Sequence, residues 1–571
     1  FYSGLSSKFI TNLFYSFLRT VCPRKEVHTM PKDSVTKFIN DHFVDLSYDS
    51  CFTEQGFQNF KTYFGNVQQG QPKVWTAPFA GKTPIHVVMN DWRRILVSIE
   101  QEWPSLMEFE NDLAKKVGPL SVQLPLSERL DDVRHYYDDI LLSSTALNPS
   151  AIKAVISEFS QIRGLRIRNQ KDTVSKMKKS SNSGTPFWEK RRDVVASTIP
   201  CSSRVYMGRH PDVYSWLKMW SGQTPAVIGW RGQEGGPLPS DVKNRVVWMF
   251  PFDVNIDELG VYQPMIEGCQ RFNLVPAWVS MDAVDKEVTL LFDTKGSDDL
   301  VVCTDFDKFD QHFNPDMQEA AETILRALLA SGKKSDAWLN DVFYAKYYIP
   351  IVWQVLGSDS ICYPGVSVLE GRHGMASGSG GTNADETLVH RALQYEAAIR
   401  QRQRLNTHSM CLGDDGILTY PDIRVEDVVE TYQSHGQEMN LTKQYVSSQD
   451  CVFLRRWHHK DYRQEGVCVG VYSTMRAIGR LRFLERFMDP EVWSPKMVAL
   501  RQLSIIENCK YHPLREQFAE FCMKRDKYRL GIDIPGFLND LPRYVKEAID
   551  YMPDFLGYTK TLQGFKPTGI N

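Results

Sequence analysis

The chain has 571 residues, 42% of them hydrophobic and 24% charged; the length excludes a single small module and the composition excludes disorder, collagen and coiled coil. Its 67 Lys and Arg against 69 Asp and Glu leave a net charge of −2, so no excess of one sign announces a partner, while a basic channel inside an acidic shell stays compatible with nucleic acid. The 11 cysteines form no CxxC pair, which points to free thiols in a reducing compartment and away from a disulfide framework or a zinc ribbon.

In chain order, residues 5–21 place Leu13, Phe14, Phe17 and Leu18 at helical spacing, interrupted by Lys8 and Asn12. This predicts an amphipathic helix docked on the body rather than a signal peptide or an anchor, and no apolar run is long enough to predict a membrane span. Residues 161–192 are locally basic around a loop at Ser181 to Pro186, and a second loop at 231–239 precedes Lys243 and Arg245. Residues 299–305 read as a buried strand ending on Asp305. Asn314 as N-cap and Pro315 at the first helical position then open a helix that Gly332 closes. A Gly/Ser loop at 374–382 feeds a helix with Val389, Ala392, Leu393 and Ala397 on one face; such a loop offers N–H groups and hydroxyls to a phosphate or sugar. Residues 409–420 predict a hairpin turning at Gly413 and Asp414, a pattern an ordinary turn would also give. Beyond about 470 the pattern is helical, ending in an irregular tail from about 551. Its aromatics and lysines suit an RNA channel, or packing against the last helices.

The chemistry lies in the middle of the chain. Carboxylates at the ends of distant strands, Asp305 and Asp414, suit two Mg²⁺ ions about 3.5–4 Å apart, because hard cations take oxygen ligands and Mg²⁺ is usually completed by substrate phosphates. In-line phosphoryl transfer needs positioning and charge compensation, so cations for a triphosphate are expected nearby, and Lys243, Arg245 and Arg231 are the candidates.

The order of these elements resembles the viral RNA-dependent RNA polymerases of the right-hand family. Asp305 and Asp310 in DFDKFD resemble its motif A, Ser377, Gly378 and Thr382 motif B, and Gly413-Asp414-Asp415 motif C. Lys443 resembles motif D, Phe453-Leu454-Arg455-Arg456 motif E, Lys243-Asn244-Arg245 motif F, and Ser183-Gly184-Thr185-Pro186 motif G. The strings DFDKFDQHF and SGSGGTNADET look most like picobirnaviruses, whose genomes are double-stranded RNA. One position departs from the family: Glu386 stands where motif B usually has an Asn that helps recognise the ribose 2′-OH.

The resemblance implies an α/β (α+β) right hand whose palm is a small antiparallel sheet with helices. Residues 1–115 would brace fingers and thumb, 116–300 form the fingers, and 301–460 the palm with a finger insertion near 333–372. Residues 461–571 would be the thumb and tail. It implies template-directed RNA synthesis from nucleoside triphosphates, with two Mg²⁺ or Mn²⁺ ions held by Asp305, Asp414 and Asp415 and Lys443 as general acid. Asp310, Ser377, Gly378, Thr382, Lys243, Arg245 and Arg231 would bind the nucleotide, with Asp310 reading the 2′-OH and Ser377 and Thr382 orienting it. Ser183, Gly184, Thr185, Pro186, Arg455 and Arg456 would touch template and primer. Single- and double-stranded RNA, nucleotides and the capsid interior are the implied partners, and the virion interior and host cytoplasm the implied locations. A silent RNA-binding protein on the same fold would lack the metal ligands. A reverse transcriptase would carry an aromatic residue and Met before its paired acids, where this chain has Leu412 and Gly413.

Overall fold

The computed structural model describes residues 33–202, 204–207, 211–214, 225–357 and 364–551. The helix expected at 5–21 and the tail beyond Tyr551 lie outside these residues.

At the centre is a four-stranded antiparallel sheet in the order Tyr445–Ser447, Val301–Thr304, Asp415–Leu418, Met410–Leu412. Every residue of Val301–Thr304 is buried, as a run of β-branched and small apolar residues inside a covered sheet should be. Helix Pro315–Leu328 follows, with the Asn314 side chain accepting from the Met317 N–H and Pro315 at its first position. Its end differs from the sequence expectation. The helix stops at Leu328, whose carbonyl accepts from the Gly164 and Leu165 N–H groups, and Gly332 instead opens the next helix, Lys333–Asp341. A tertiary pairing satisfies the last turn, so no local glycine cap is required.

Helix Thr382–Arg400 also departs from expectation. Val389, Ala392, Leu393 and Ala397 are buried, but so are Asp385, Glu386, Thr387, His390, Arg391, Gln394 and Glu396. It runs through the middle, packed on Pro149–Glu158, Pro315–Leu328, Val425–Gln433 and strand Met410–Leu412. Its polar face is therefore matched inside: Asp385 meets Lys346 at 3.0 Å and accepts from Tyr262 and Tyr347, Arg391 meets Glu158 at 3.1 Å, and Glu396 contacts His435. Buried polar groups must be paired, so this helix fixes what surrounds it.

A second sheet runs Phe43–Ser47, Gly365–Leu369, Ile351–Leu356, Ala226–Gln233, Lys243–Met249. Only the Ala226–Gln233/Ile351–Leu356 pairing is parallel among its members. Residues 33–67 share the main core, whereas Phe79, Trp92, Leu106 and Val117 belong to a separate core with Ile478, Leu503 and Phe518.

The hairpin Ala226–Gln233/Lys243–Met249 reaches across to helix Thr474–Arg482. Glu234, beyond the end of its first strand, meets Arg480 at 2.8 Å and Arg476 at 3.0 Å, and Arg231 meets Glu485 at 3.2 Å. Burial works against the Glu234 charge, but Arg480 and Arg476 outweigh it and hold the carboxyl at about 2. Glu234→Gln is expected to loosen residues 231–239 by about 1.5–3 kcal/mol, read as faster amide exchange there. Because the folded pKa lies below the ordinary 4.5, this contribution is present above pH 4.5 and fades as the pH falls toward about 2. Wild type and variant should converge over that interval.

Candidate active site

Strand register brings the acids together. Thr304 pairs with Gly416, which sets Asp305, one residue on, opposite Asp415 and beside Asp414 at the hairpin turn. Asp305 and Asp414 are exposed and Asp415 is half-buried. The turn has two residues, and Gly413 takes the left-handed φ of 58° that such a turn needs.

The buried helix holds this turn from behind. The Thr387 hydroxyl accepts from the Gly413 N–H at 3.0 Å, and the Gly413 carbonyl accepts from His390 Nδ1–H at 2.8 Å. Burial pulls the His390 pKa down to about 4, so the ring is neutral and donates through Nδ1. Gln444 performs the matching task for Asp305. Its amide oxygen accepts from the Asp305 N–H at 2.7 Å, and its nitrogen donates to the Asp305 carbonyl at 2.9 Å. Thr387, His390 and Gln444 were not among the residues singled out in the sequence; the spacing of Thr387 and His390 on one helix could have drawn attention to them, but only the fold supplies their target.

The electrostatics of the acids ask for a cation. Burial raises the Asp305 carboxyl; Lys443 opposes that and Asp414 adds to it. Burial and Asp414 push Asp415 up to about 7, although its carboxylate accepts the Leu454 N–H at 2.8 Å. Like charges gathered on oxygen-only donors fit a divalent ion. Among the described residues no group of three or more His, Cys, Asp or Glu side chains forms a metal cage.

Asp310 lies on the turn beyond Asp305, half-buried, with its carbonyl accepting from the Met375 N–H at 2.8 Å. Its side chain is hydrogen-bonded to Glu386. Burial and the facing Asp310 raise Glu386 well above the usual range, and burial raises Asp310 as well, so the two carboxyls share a proton. Arg245 lies within electrostatic reach of Asp310. Ser377 and Thr382 do not hold Asp310: their hydroxyls donate to the Val246 and Ala376 carbonyls, both at 3.1 Å. Gly378 permits a close approach, since a Cβ there would lie 1.5 Å from the Trp248 carbonyl oxygen. The loop's N–H groups are also occupied, Gly380 by Glu258 and Gly381 by the Ser379 hydroxyl.

Lys243 and Arg245 are exposed on one strand, with Arg231 opposite Arg245 in register. Arg231 is turned to Glu485, so it joins two parts of the molecule. Arg455 and Leu454 form a two-residue turn with φ of 60° and 52°, strained for non-glycine residues, and that conformation aims the Leu454 N–H at Asp415.

Two expectations for RNA contact need correcting. Ser183, Gly184, Thr185 and Pro186 are all buried; the Ser183 hydroxyl accepts from the Glu189 N–H at 3.2 Å and the Thr185 hydroxyl donates to the Pro225 carbonyl at 3.1 Å. Their side chains are committed to shaping a loop whose exposed neighbours include Lys179, Lys190 and Arg192. Arg456 is likewise buried, bound to Asp285 at 3.1 Å and to the Gly470 carbonyl at 2.8 Å. A guanidinium spent on an internal carboxylate has no reach toward RNA.

A small antiparallel sheet carrying acids on adjacent strands, backed by a buried helix and facing a basic hairpin, defines a right-hand nucleic-acid polymerase. The particular family is equally plain: the chain belongs to the viral RNA-dependent RNA polymerases, whose pattern its residues 115–515 match. It is 57% identical over 504 residues to the "Potential RNA-dependent RNA polymerase" of Human picobirnavirus (strain Human/Thailand/Hy005102/-), covering 88% of this chain and 92% of the relative. The crystal structure of the RNA-dependent RNA polymerase of a human picobirnavirus is similar at a TM-score of 0.83 and 54% identity, covering 90% of this chain and 94% of that one. An insertion-loop deletion mutant of such a polymerase gives 0.83 and 53%, covering 91% and 98%. The activity is therefore RNA-directed RNA synthesis, with RNA and nucleotides as ligands and divalent metal ions as the family's usual cofactors. Among the described residues no helix is long and apolar enough to cross a membrane.

Proposed function

We propose that this chain joins nucleotides on an RNA template at Asp305, Asp414 and Asp415, in transcription and replication of a double-stranded RNA genome. The Thr304–Gly416 register, which sets the acids side by side, is the observation that carries this reading. Asp305 and Asp414 are the ligands for two Mg²⁺ or Mn²⁺ ions, with Asp415 a weaker one because the Leu454 N–H already occupies one of its oxygens. When bound, such ions activate the 3′-hydroxyl and offset the charge of the leaving pyrophosphate. The chain's own groups do the rest. Thr387, His390 and Gln444 fix the acids, so little reorganisation remains when substrate arrives. Lys243 and Arg245 neutralise the triphosphate, and Lys443, within electrostatic reach of Asp305, supplies a proton to the departing pyrophosphate.

The domain reading cuts across the cores, since one core draws on residues 35–67 and 126–468 and the other joins 79–120 to 457–548. Residues 116–300 with the insertion near 333–372 serve as fingers, 301–460 as palm and 461–571 as thumb, and the first 115 residues brace both ends. In this reading Arg455 and the exposed cations flanking 183–186 meet primer and template RNA, both single- and double-stranded. The virion interior, against the capsid, and the host cytoplasm are the proposed places of action. Incubation with unprimed single-stranded RNA, Mg²⁺ and four labelled nucleotides tests the activity; no template-dependent product from folded enzyme would reject it.

Asp310 is the proposed reader of the sugar. Its carboxylate accepts the ribose 2′-OH, and Glu386, which shares a proton with it, keeps that acceptor oriented. Asp310→Ala is expected to reduce the preference for ribonucleotides over deoxyribonucleotides about tenfold, the worth of one hydrogen bond to a charged group. The ratio of incorporation efficiencies measures it, and an unchanged ratio rejects the role.

A further inference from the structure

We propose that Lys116, the first residue of the fingers range, is a nucleotide-binding residue that contacts the triphosphate of the incoming nucleotide alongside Lys243. It rests on the triphosphate reading of Lys243 given above.

The backbone around Lys116 is fixed on three sides. Helix Pro104–Ala114, which ends two residues before it, is tied to helix Thr474–Arg482 through Glu110, whose carboxylate accepts from the Thr474 and Met475 N–H groups at 2.9 and 3.1 Å. Val117 packs on Gly479 of that same helix, where a Cβ would lie 2.9 Å from a Val117 methyl. Gly118 meets the Gly236 carbonyl so closely that a Cβ would sit 1.8 Å from its oxygen, and a Cβ on Gly232 would lie 1.7 Å from the Leu120 carbonyl oxygen. The stretch 116–120 is thus wedged between the basic hairpin tip and the helix Thr474–Arg482, and its one charged side chain is exposed.

That wedge places the ammonium group in a particular company. Lys116 interacts electrostatically with Lys243 on the hairpin, Arg455 on the turn beside Asp415, and the Asp305 carboxylate. Partial loss of solvent around the exposed side chain, then Lys243 and Arg455, pull its pKa down, and Asp305 and Asp112 only partly oppose them. Asp305 and Asp112 face Lys116, and Arg455 lies 3.7 Å from Glu234, yet Lys116 and Lys243 still repel each other beside Asp305. A nucleoside triphosphate delivered to Asp305 is a polyanion and would convert mutual repulsion into shared attraction. Lys115, its neighbour, points elsewhere: it pairs with Asp112 at 3.1 Å and both are largely exposed.

The test is Lys116→Ala in the full chain, with the nucleotide concentration for half-maximal rate measured separately on a primed template and in unprimed initiation. A rise of about tenfold in both assays, with a smaller change in the saturated rate, is expected for one lost charge-assisted phosphate contact. Lys116→Arg should recover most of it, and Lys115→Ala should behave as wild type. A rise confined to unprimed synthesis would overturn the assignment to the incoming nucleotide and point to the triphosphate of the initiating one. Unchanged values in both assays, or a fall in the saturated rate alone, would also overturn it. Lys243→Ala separates this proposal from its premise. If it raises the half-maximal concentration and Lys116→Ala does not, only the Lys116 assignment fails; if neither does, the triphosphate reading of the cluster fails as well.

Discussion

Asp414→Asn is expected to purify folded, to bind RNA close to wild-type strength and to synthesise at least about 10³-fold less product, about 4 kcal/mol of lost transition-state stabilisation. Asp305→Asn should do the same. The size follows from the chemistry: an amide keeps the shape and one acceptor oxygen but removes the charge that holds a hard cation. The fold should survive because both side chains are exposed, and their mutual repulsion, which helps raise Asp305, is relieved when one becomes neutral. A modest gain in thermal stability without metal would therefore accompany the lost activity. Chelation of divalent ions should reproduce the defect in wild type and restoration of Mg²⁺ or Mn²⁺ reverse it. Near-normal synthesis by either folded variant would remove the two acids from the reaction.

The largest effect on stability is expected at Glu110. This carboxylate is wholly buried and accepts from the Ser473 hydroxyl at 2.6 Å, the Thr474 hydroxyl at 2.6 Å and the Thr474 N–H at 2.9 Å. It also accepts from the Met475 N–H at 3.1 Å and from His512 Nε2 at 2.9 Å. Burial alone would raise its pKa, but His512 and the two hydroxyls outweigh burial and hold it below the ordinary range. It caps helix Thr474–Arg482 from another part of the chain and joins helix Pro104–Ala114 to the last helices. Glu110→Ala would orphan several buried donors at once, at a cost of about 3–5 kcal/mol. Thermal denaturation should show an earlier transition, with amide exchange accelerated across 85–114 and 474–523 and little changed in the central sheet. Equal loss of protection everywhere would mean the two cores unfold as one unit.

Much of the catalytic centre was legible in the sequence because its signals are local. A buried-strand pattern ending on Asp305, Asn314 and Pro315 opening a helix, and a Gly-Asp turn between short apolar runs each arise from a few adjacent residues. Hydrophobic period, capping chemistry and turn preference act over that range. The end of helix Pro315–Leu328 was not legible, since a pairing with residues 164 and 165 replaced the glycine stop.

The sequence by itself determined the acids, their strands and the order of the motifs, and with them the kind of reaction. Only the tertiary structure decided which polar residues stay exposed around the acids and which serve the interior. Ser183, Thr185 and Arg456 match the family's motifs as well as Arg245 does, yet they are buried and bonded within the protein. Thr387, His390, Gln444 and Glu110 were given no role by any motif and still hold the Gly413–Asp414 turn, the Asp305 backbone and the junction with the last helices. The reason is that a residue's type fixes which bonds it can make, while burial and the approach of distant segments fix which it does make. That choice spans separations such as the 364 positions between Glu110 and Thr474, which no local pattern records.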